Sequence, residues 1–450
     1  MHQKKIDMTT GPIMKNVFLF AIPIVLGNIL QYLYTTVDTL VIGNYCGKTS
    51  LAAVGTSAQP VEVLLCIFLG IGTGVSILVS QYAGAEDMEK MRRAVDTATF
   101  FVFVCGIPLC VIGYFAAPLI LKGMGVPADT WDAAVSYTRI VFFGALGNIG
   151  YNMNAGILRG MGDSKASLWF LVVSCITNIV LDYLFVAKLG MDVGGAALST
   201  TLAMYLSWVI SIVYIRKKFP ELELSYLPKG VDLKELKQIV LIGLPIGLNN
   251  SLYSLGHVAI QTLVNAQGSS FMAANSVAGR VTGLTNVAIT ALSSAATTFS
   301  GQNFGAKNFD RLRKGYIRIP VVSGMITLAA GLCMISFRMP ILRIFTPEEE
   351  VLMYAGRYVV VMLLSQWFYA IFNGIICIVN GVGLIRYSTV VNILMLWAVR
   401  IPSAYLIDRY FDGTYLMLCF PISFSFGMVM MIGYYVFSKK WKEIINTGKA

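Results

Sequence analysis

The sequence predicts an all-α polytopic membrane protein of twelve transmembrane helices in two six-helix lobes related by a parallel internal repeat. Three observations carry this. The 450 residues are 56% hydrophobic and only 13% charged, with a mean hydropathy of +0.71, far more apolar than a soluble surface tolerates. The apolar residues fall in windows such as 17–42 and 94–121, long enough to cross a hydrocarbon core of about 30 Å as helix. The same punctuation then recurs along the chain at a nearly constant offset.

The windows give helices at 17–42, 52–83, 94–121, 131–157, 166–187 and 194–215, then 239–264, 271–303, 319–337, 350–379, 388–407 and 414–437. Their weak alternation argues against a β-barrel. The first window follows a polar stretch with Lys4, Lys5 and Lys15 and lacks a small-residue cleavage site, so it reads as a retained helix. The basic stretch 216–238, with Pro220 and Pro228, reads as a cytoplasmic linker between an N lobe (1–215) and a C lobe with its basic tail (239–450).

Four anchors define the repeat. Ala21-Ile22-Pro23-Ile24 answers Gly243-Leu244-Pro245-Ile246 at an offset of 222. Gln81-Tyr82-Ala83-Gly84-Ala85 answers Gln302-Asn303-Phe304-Gly305-Ala306, Tyr137 answers Tyr358, and Arg159-Gly160-Met161-Gly162 answers Asn380-Gly381-Val382-Gly383, each at 221. Six helices per copy is an even number, so both copies enter the membrane in the same direction. Pro23 and Pro245 fall early in the first helix of each copy, where a missing backbone donor kinks a helix and lets it bend.

The net charge of +11 reflects topology. With the N-terminus inside, inner segments hold 24 Lys and Arg and outer loops hold six. That asymmetry puts both termini in the cytoplasm of a cell with this protein in its inner membrane, and it leaves nucleic acid no role. The eight cysteines are dispersed with no CxxC pair and read as small buried hydrophobes. No HExxH or GxSxG arrangement points to an enzyme, and no filter-like repeat or charged ring points to a channel. No cofactor is expected.

Ionisable side chains within the apolar windows are few, and each costs roughly 2.5–3.5 kcal/mol even on lenient insertion scales. Asp38 in helix one and Asp182 in helix five come to similar depth. Gln31, Tyr34 or Thr35, and Asp38 share one face of helix one, and Asn178 and Asp182 are i, i+4 neighbours. Helix six adds Thr200 about 9 Å in from its outer end. Helix four adds Tyr137 near its outer end, with Asn148, Asn152 and Asn154 deeper. Two carboxylates with amides and hydroxyls form an oxygen-rich set suited to a hard cation such as Na⁺, and the same carboxylates suit a proton. Glu62 in helix two either attracts a cation or pairs with a helix-borne Arg. His257 either titrates near neutrality or is a satisfied core histidine, the more expected reading, and Arg400 either neutralises a carbonyl cluster or supports the C lobe.

These residues resemble the multidrug and toxic compound extrusion (MATE) family across essentially the whole chain. The Pro23 kink, Val37-Asp38-Thr39 followed by Gly43, the Gly84-Ala85 loop and Arg159-Gly160-Met161-Gly162-Asp163 carry the likeness. Asn178-Ile179-Val180-Leu181-Asp182 and Gly194-Gly195-Ala196-Ala197-Leu198-Ser199-Thr200 are its most specific part. The resemblance implies a V-shaped pair of lobes, acting as a monomer, that exports small amphipathic cations in exchange for Na⁺ or H⁺. It implies that Asp38, Asn178, Asp182 and Thr200 hold the coupling ion, with Gln31, Tyr34, Tyr137 and one or more of Asn152 and Asn154 lining an N-lobe cavity. Some members carry further acids in helices seven and ten. Here helix seven offers His257 and Gln261, and helix ten Gln366 and Asn373, so coupling is expected in the N lobe. Flipping of lipid-linked saccharides is the alternative, which usually goes with fourteen helices and a more basic cleft.

Overall fold

Helices account for nearly all of the described chain. The computed structural model describes residues 6–128, 130–228, 230–411 and 413–447. Lys4, Lys5, Lys229 and Lys449, counted above on the inner side, lie outside them, as does the side chain of Lys48. The twelve expected helices are present as α1 Ile13–Tyr45, α2 Gly47–Ala85, α3 Met88–Gly123, α4 Trp131–Gly160, α5 Ser164–Lys188 and α6 Asp192–Lys218. The second set is α7 Leu233–Ala266, α8 Ser269–Gly305, α9 Phe309–Ser336, α10 Glu349–Gly381, α11 Ile385–Tyr410 and α12 Gly413–Phe437. A tail helix, α13 Lys439–Thr447, follows. Ten of the twelve are long and apolar enough to cross a membrane by composition alone. The other two, α4 and α8, are diluted by Gly, Asn, Ser and Thr and bury half or more of their residues among their neighbours, so they need less lipid-facing apolar surface.

Two helices widen to π geometry. In α5 the widening covers Tyr183–Lys188, directly after Asp182. In α11 it covers Leu394–Arg400, just before Pro402, whose missing N–H breaks the i→i−4 ladder at that point.

Packing divides the described chain into residue 6 with 22–251, and residues 7–21 with 252–447. This differs from the repeat-based halves: the division crosses α1 between Ala21 and Ile22, beside Pro23, and α7 between Ser251 and Leu252. Each unit therefore contains the first part of a helix whose remainder belongs to the other.

In the first unit, the segment before α7 and the first turn of that helix lie along α2 and α3. The Tyr82 hydroxyl donates to Glu235 Oε2 at 2.9 Å, the Asp232 N–H donates to Thr97 Oγ1 at 3.2 Å, and Arg92 pairs with Glu223. In the second unit, the segment before α1 does the same against α8 and α9. Gln302 Oε1 accepts from Met8 N at 3.0 Å, and Asn303 Nδ2 donates to Met8 O at 3.0 Å. Arg311 spends its fork on three carbonyls, those of Met8, Gly11 and Thr10, at 2.9, 2.6 and 2.8 Å. Tyr82 and Asn303 are the repeat equivalents noted above, so this motif marks where each strap is anchored. Arg311→Ala is expected to loosen the strap by about 2 kcal/mol. Hydrogen exchange at the Met8 amide should accelerate about thirtyfold; unchanged exchange would show that Gln302 and Asn303 hold the strap alone.

The Gly-x-Gly repeat has a geometric reason. Gly162 and Gly383 both take positive φ, +89° and +91°, which favours glycine. A methyl on Gly160 would lie 2.7 Å from Ser76 O, and one on Gly381 would lie 2.7 Å from Thr297 O. Both copies thus bring the end of their fourth helix against the backbone of their second.

Candidate functional site

The geometry of the first unit starts from how α1 meets α5. Gly27 allows close approach, since a methyl there would sit 3.3 Å from the Leu171 side chain, and the Cys175 thiol lies 3.9 Å from Leu30 O. Eleven residues further along each helix, about 16 Å, stand Asp38 and Asp182. Equal counts along helices running the same way keep the two acids level, and their carboxyls come within hydrogen-bonding reach of each other.

Helix α6 closes the site. Asp182 is fully buried, and its Oδ1 accepts from the Ser199 hydroxyl at 2.5 Å. Asn178 Nδ2 donates to Thr200 Oγ1 at 3.1 Å. Three oxygens are then left buried without a partner: Asp38 Oδ1, Asn178 Oδ1 and Asp182 Oδ2. Unsatisfied buried acceptors are rare and each asks for an explanation. All three here are oxygens, belonging to the residues singled out for a hard cation. The phenols of Tyr34 and Tyr137 lie close enough to both carboxylates to feel their charge.

Beside this cluster is a cavity of about 570 Å³, lined among others by Pro23, Gln31, Glu62, Tyr137, Asn148 and Asn152. Tyr137 faces the cavity and also feels the acid pair, and so connects the two. Tyr34 is not among the lining residues and stays with the acids. Asn154 departs from the sequence-based expectation: it is buried, and its amide donates to Ser211 Oγ at 2.7 Å. The reason is angular, because two residues beyond Asn152 is about 200° around the helix, which turns Asn154 toward α6 while Asn148 and Asn152 share a face. Their pairing is direct, Asn152 Nδ2 to Asn148 Oδ1 at 3.0 Å.

Sequence reasoning missed Ser199 as a partner of Asp182, and Asn28, Tyr151, Arg159 and Ser167 as cavity residues. Arg159 was visible as repeat punctuation and in the family resemblance, not as a cavity residue. Ser199 stood in the stretch that carries the family resemblance, but it also lies 2.7 Å from Gly195 O, the local helical bond open to any such serine, so nothing in the sequence marked it as a partner of Asp182. His257 and Arg400 belong to the second unit, where the His257 ring packs edge-on against Tyr253 with centroids 4.9 Å apart.

The MatE family model matches residues 23–184 and again 245–406, displaced by 222 at both ends. The chain belongs to the MatE family. Among curated relatives, the "Probable multidrug resistance protein YoeA" of Bacillus subtilis is 30% identical over 443 residues, 96% of this chain and 95% of the relative. The "Probable multidrug resistance protein YpnP" of the same organism is 28% identical over 448 residues, 98% of each. A solved structure described as the outward-facing conformation of a multidrug resistance MATE family transporter of the MOP superfamily superposes with a TM-score of 0.88 at 24% identity, over 99% of both chains. This MatE chain is thus a multi-pass membrane transporter of twelve helices in two lobes, and not an enzyme. The duplicated match gives independent support to the repeat read from the sequence.

Proposed function

We propose that this chain exports small amphipathic organic cations in exchange for an inward-moving monovalent cation, Na⁺ or H⁺, by alternating access. The observation that carries the proposal is the set of three unpartnered buried oxygens on Asp38, Asn178 and Asp182. Two carboxylates and an amide oxygen, with Thr200 alongside, are what a hard cation would satisfy. A proton held between the Asp38 and Asp182 carboxyls would answer the same need. That the curated relatives are named multidrug resistance proteins supports export of amphipathic compounds.

In this reading the ion neutralises the carboxylates and α1 bends at Pro23, where the helix lacks one backbone bond. The adjoining cavity then releases its substrate outward. The protein works as a monomer with both termini cytoplasmic, in keeping with the distribution of its Lys and Arg. Among the described residues lining the cavity, the charged ones are Glu62 and Arg159, whereas a flippase of lipid-linked saccharides calls for a more basic surface.

The test is ethidium efflux from proteoliposomes under an imposed Na⁺ gradient or an imposed pH gradient, each without the other. One of the two is expected to drive efflux, and that result also names the ion; no response to either would overturn the proposal. A narrower expectation concerns Glu62, which is exposed at the cavity. Glu62→Gln should raise the half-saturating concentration of a cationic substrate about fivefold, the effect of roughly 1 kcal/mol of lost attraction. That of a neutral substrate should be unchanged. Equal shifts for both would remove Glu62 from substrate recognition.

A further inference from the structure

Arg400 plays no part in the site described above, yet it buries a charged side chain completely. It lies in α11. Its Nε donates to Ser423 Oγ at 2.9 Å, and Nη1 donates to the Tyr253 hydroxyl at 3.1 Å. The rings of Tyr253, Phe420 and Phe424 surround the guanidinium at 5.3, 5.0 and 4.8 Å. No ion pair among the described residues includes it, and Nη2 is buried with no acceptor. Aromatic faces offset part of the cost of burying a cation. They do not accept hydrogen bonds from Nη2 as an oxygen or an anion does, and they carry no countercharge. A buried charge left uncompensated is strongly destabilising.

The repeat sharpens the contrast. At an offset of 222, Arg400 stands where the first copy has Asn178, Ile260 where it has Asp38, and Ala404 where it has Asp182. At these positions the first copy gathers carboxylate and amide oxygens, whereas the second places a guanidinium that no described carboxylate pairs with.

We infer that Arg400 Nη2 and the Tyr253 hydroxyl form a binding site for a small monovalent inorganic anion of the chloride class. Tyr253 accepts from Arg400 and so keeps its own proton to give, and no described acceptor takes it. Two unspent donors thus lie next to each other, on adjoining side chains. Ser423 does not compete for this role, because its hydroxyl proton is directed to Phe420 O at 2.9 Å. The geometry also selects against a carboxylate. Recognition of a carboxylate by arginine is strongest when two parallel N–H groups face it. Here Nε is committed to Ser423 and Nη1 to Tyr253, so the side-on pair is blocked and the end-on pair is half spent. A spherical anion needs no such fork. Water would satisfy the N–H but leave the charge.

The test uses the full-length protein in detergent micelles with gluconate as the bulk anion and ³⁶Cl⁻ as probe, read by scintillation proximity. Saturable binding is expected, displaced by bromide but not by an equal concentration of acetate. Arg400→Gln should abolish it. Tyr253→Phe keeps the ring over the guanidinium and removes only the hydroxyl, so it should stay monodisperse and bind at least about tenfold more weakly. Tyr253→Phe carries the test if Arg400→Gln does not fold. Absence of saturable ³⁶Cl⁻ binding in the wild type would overturn the inference, as would unchanged affinity in folded Tyr253→Phe or displacement by acetate in preference to bromide. Because the readout is anion binding at equilibrium, it succeeds or fails independently of the cation-exchange proposal.

Discussion

Asp182→Asn and Asp38→Asn are each expected to reduce ion-driven efflux to the level of protein-free liposomes while leaving the protein folded. The substitution keeps the size of the side chain and removes one of two negative charges facing the unpartnered oxygens. A unit charge about 4 Å from a bound cation at an effective dielectric of 20 is worth about 4 kcal/mol, which is about a thousandfold in affinity. Asp182 is the more constrained of the pair, since it is fully buried and also holds Ser199 at 2.5 Å. The double variant should be no worse than either single one, because residues that act as a unit are non-additive. Binding of ethidium at the cavity, read by fluorescence without a gradient, should survive in both, since neither acid is among the residues lining it. Wild-type ion-driven efflux in either variant would remove that acid from the coupling site.

The depth match of these two acids was legible because it needs only counting along helices, and so was the duplicated scaffold. Helix ends were less legible. The sequence places the ninth helix at 319, whereas α9 begins at Phe309; α3 and α7 likewise begin six residues early, at Met88 and Leu233. Hydropathy sees the apolar slab, but a helix continues into water wherever charged residues support it, as Asp310, Arg311 and Arg313 do here. The π segment after Asp182 has no Pro within it or just beyond it to announce it, while the one in α11 is followed by Pro402. The straps were invisible for a different reason. Carbonyls of Met8, Thr10 and Gly11 bind Arg311 about 300 residues away, and backbone acceptors have no sequence signature. Arg400 stood out as an intramembrane charge, but only the arrangement of three rings and one orphaned nitrogen around it gives it a chemical meaning.

Gly70→Val is expected to prevent the first unit from assembling, more completely than loss of any hydrogen bond described above. Helix α2 carries Gly70 and Gly74, and α7 carries Gly243 and Gly247, so each presents a pair of glycines one turn apart. Such pairs let helix backbones touch in a membrane, where packing replaces the hydrophobic driving force. Here they meet. A methyl on Gly70 would lie under 3.0 Å from the N and Cα of Gly247, and one on Gly74 would lie 2.8 Å from Gly243 N. Overpacking against a side chain is relieved by a rotamer change and costs about 1–3 kcal/mol. Overpacking against backbone has no such relief, and the opposite face of α2 is not free to yield either. A methyl on Gly72 would sit 3.3 Å from Asn152 O, and one on Gly156 of α4 would sit only 2.5 Å from Gly72 O. Pushing α2 away from α7 therefore drives it into the helix that carries Asn148 and Asn152 of the cavity. Size-exclusion profiles of detergent extracts should show aggregate or no protein for Gly70→Val. Gly279→Val should give a profile like wild type, because a methyl at Gly279 meets nothing within 4 Å. If Gly70→Val were monodisperse with an unchanged melting temperature, α2 and α7 would have to pack less closely than the backbone contact between their glycines requires.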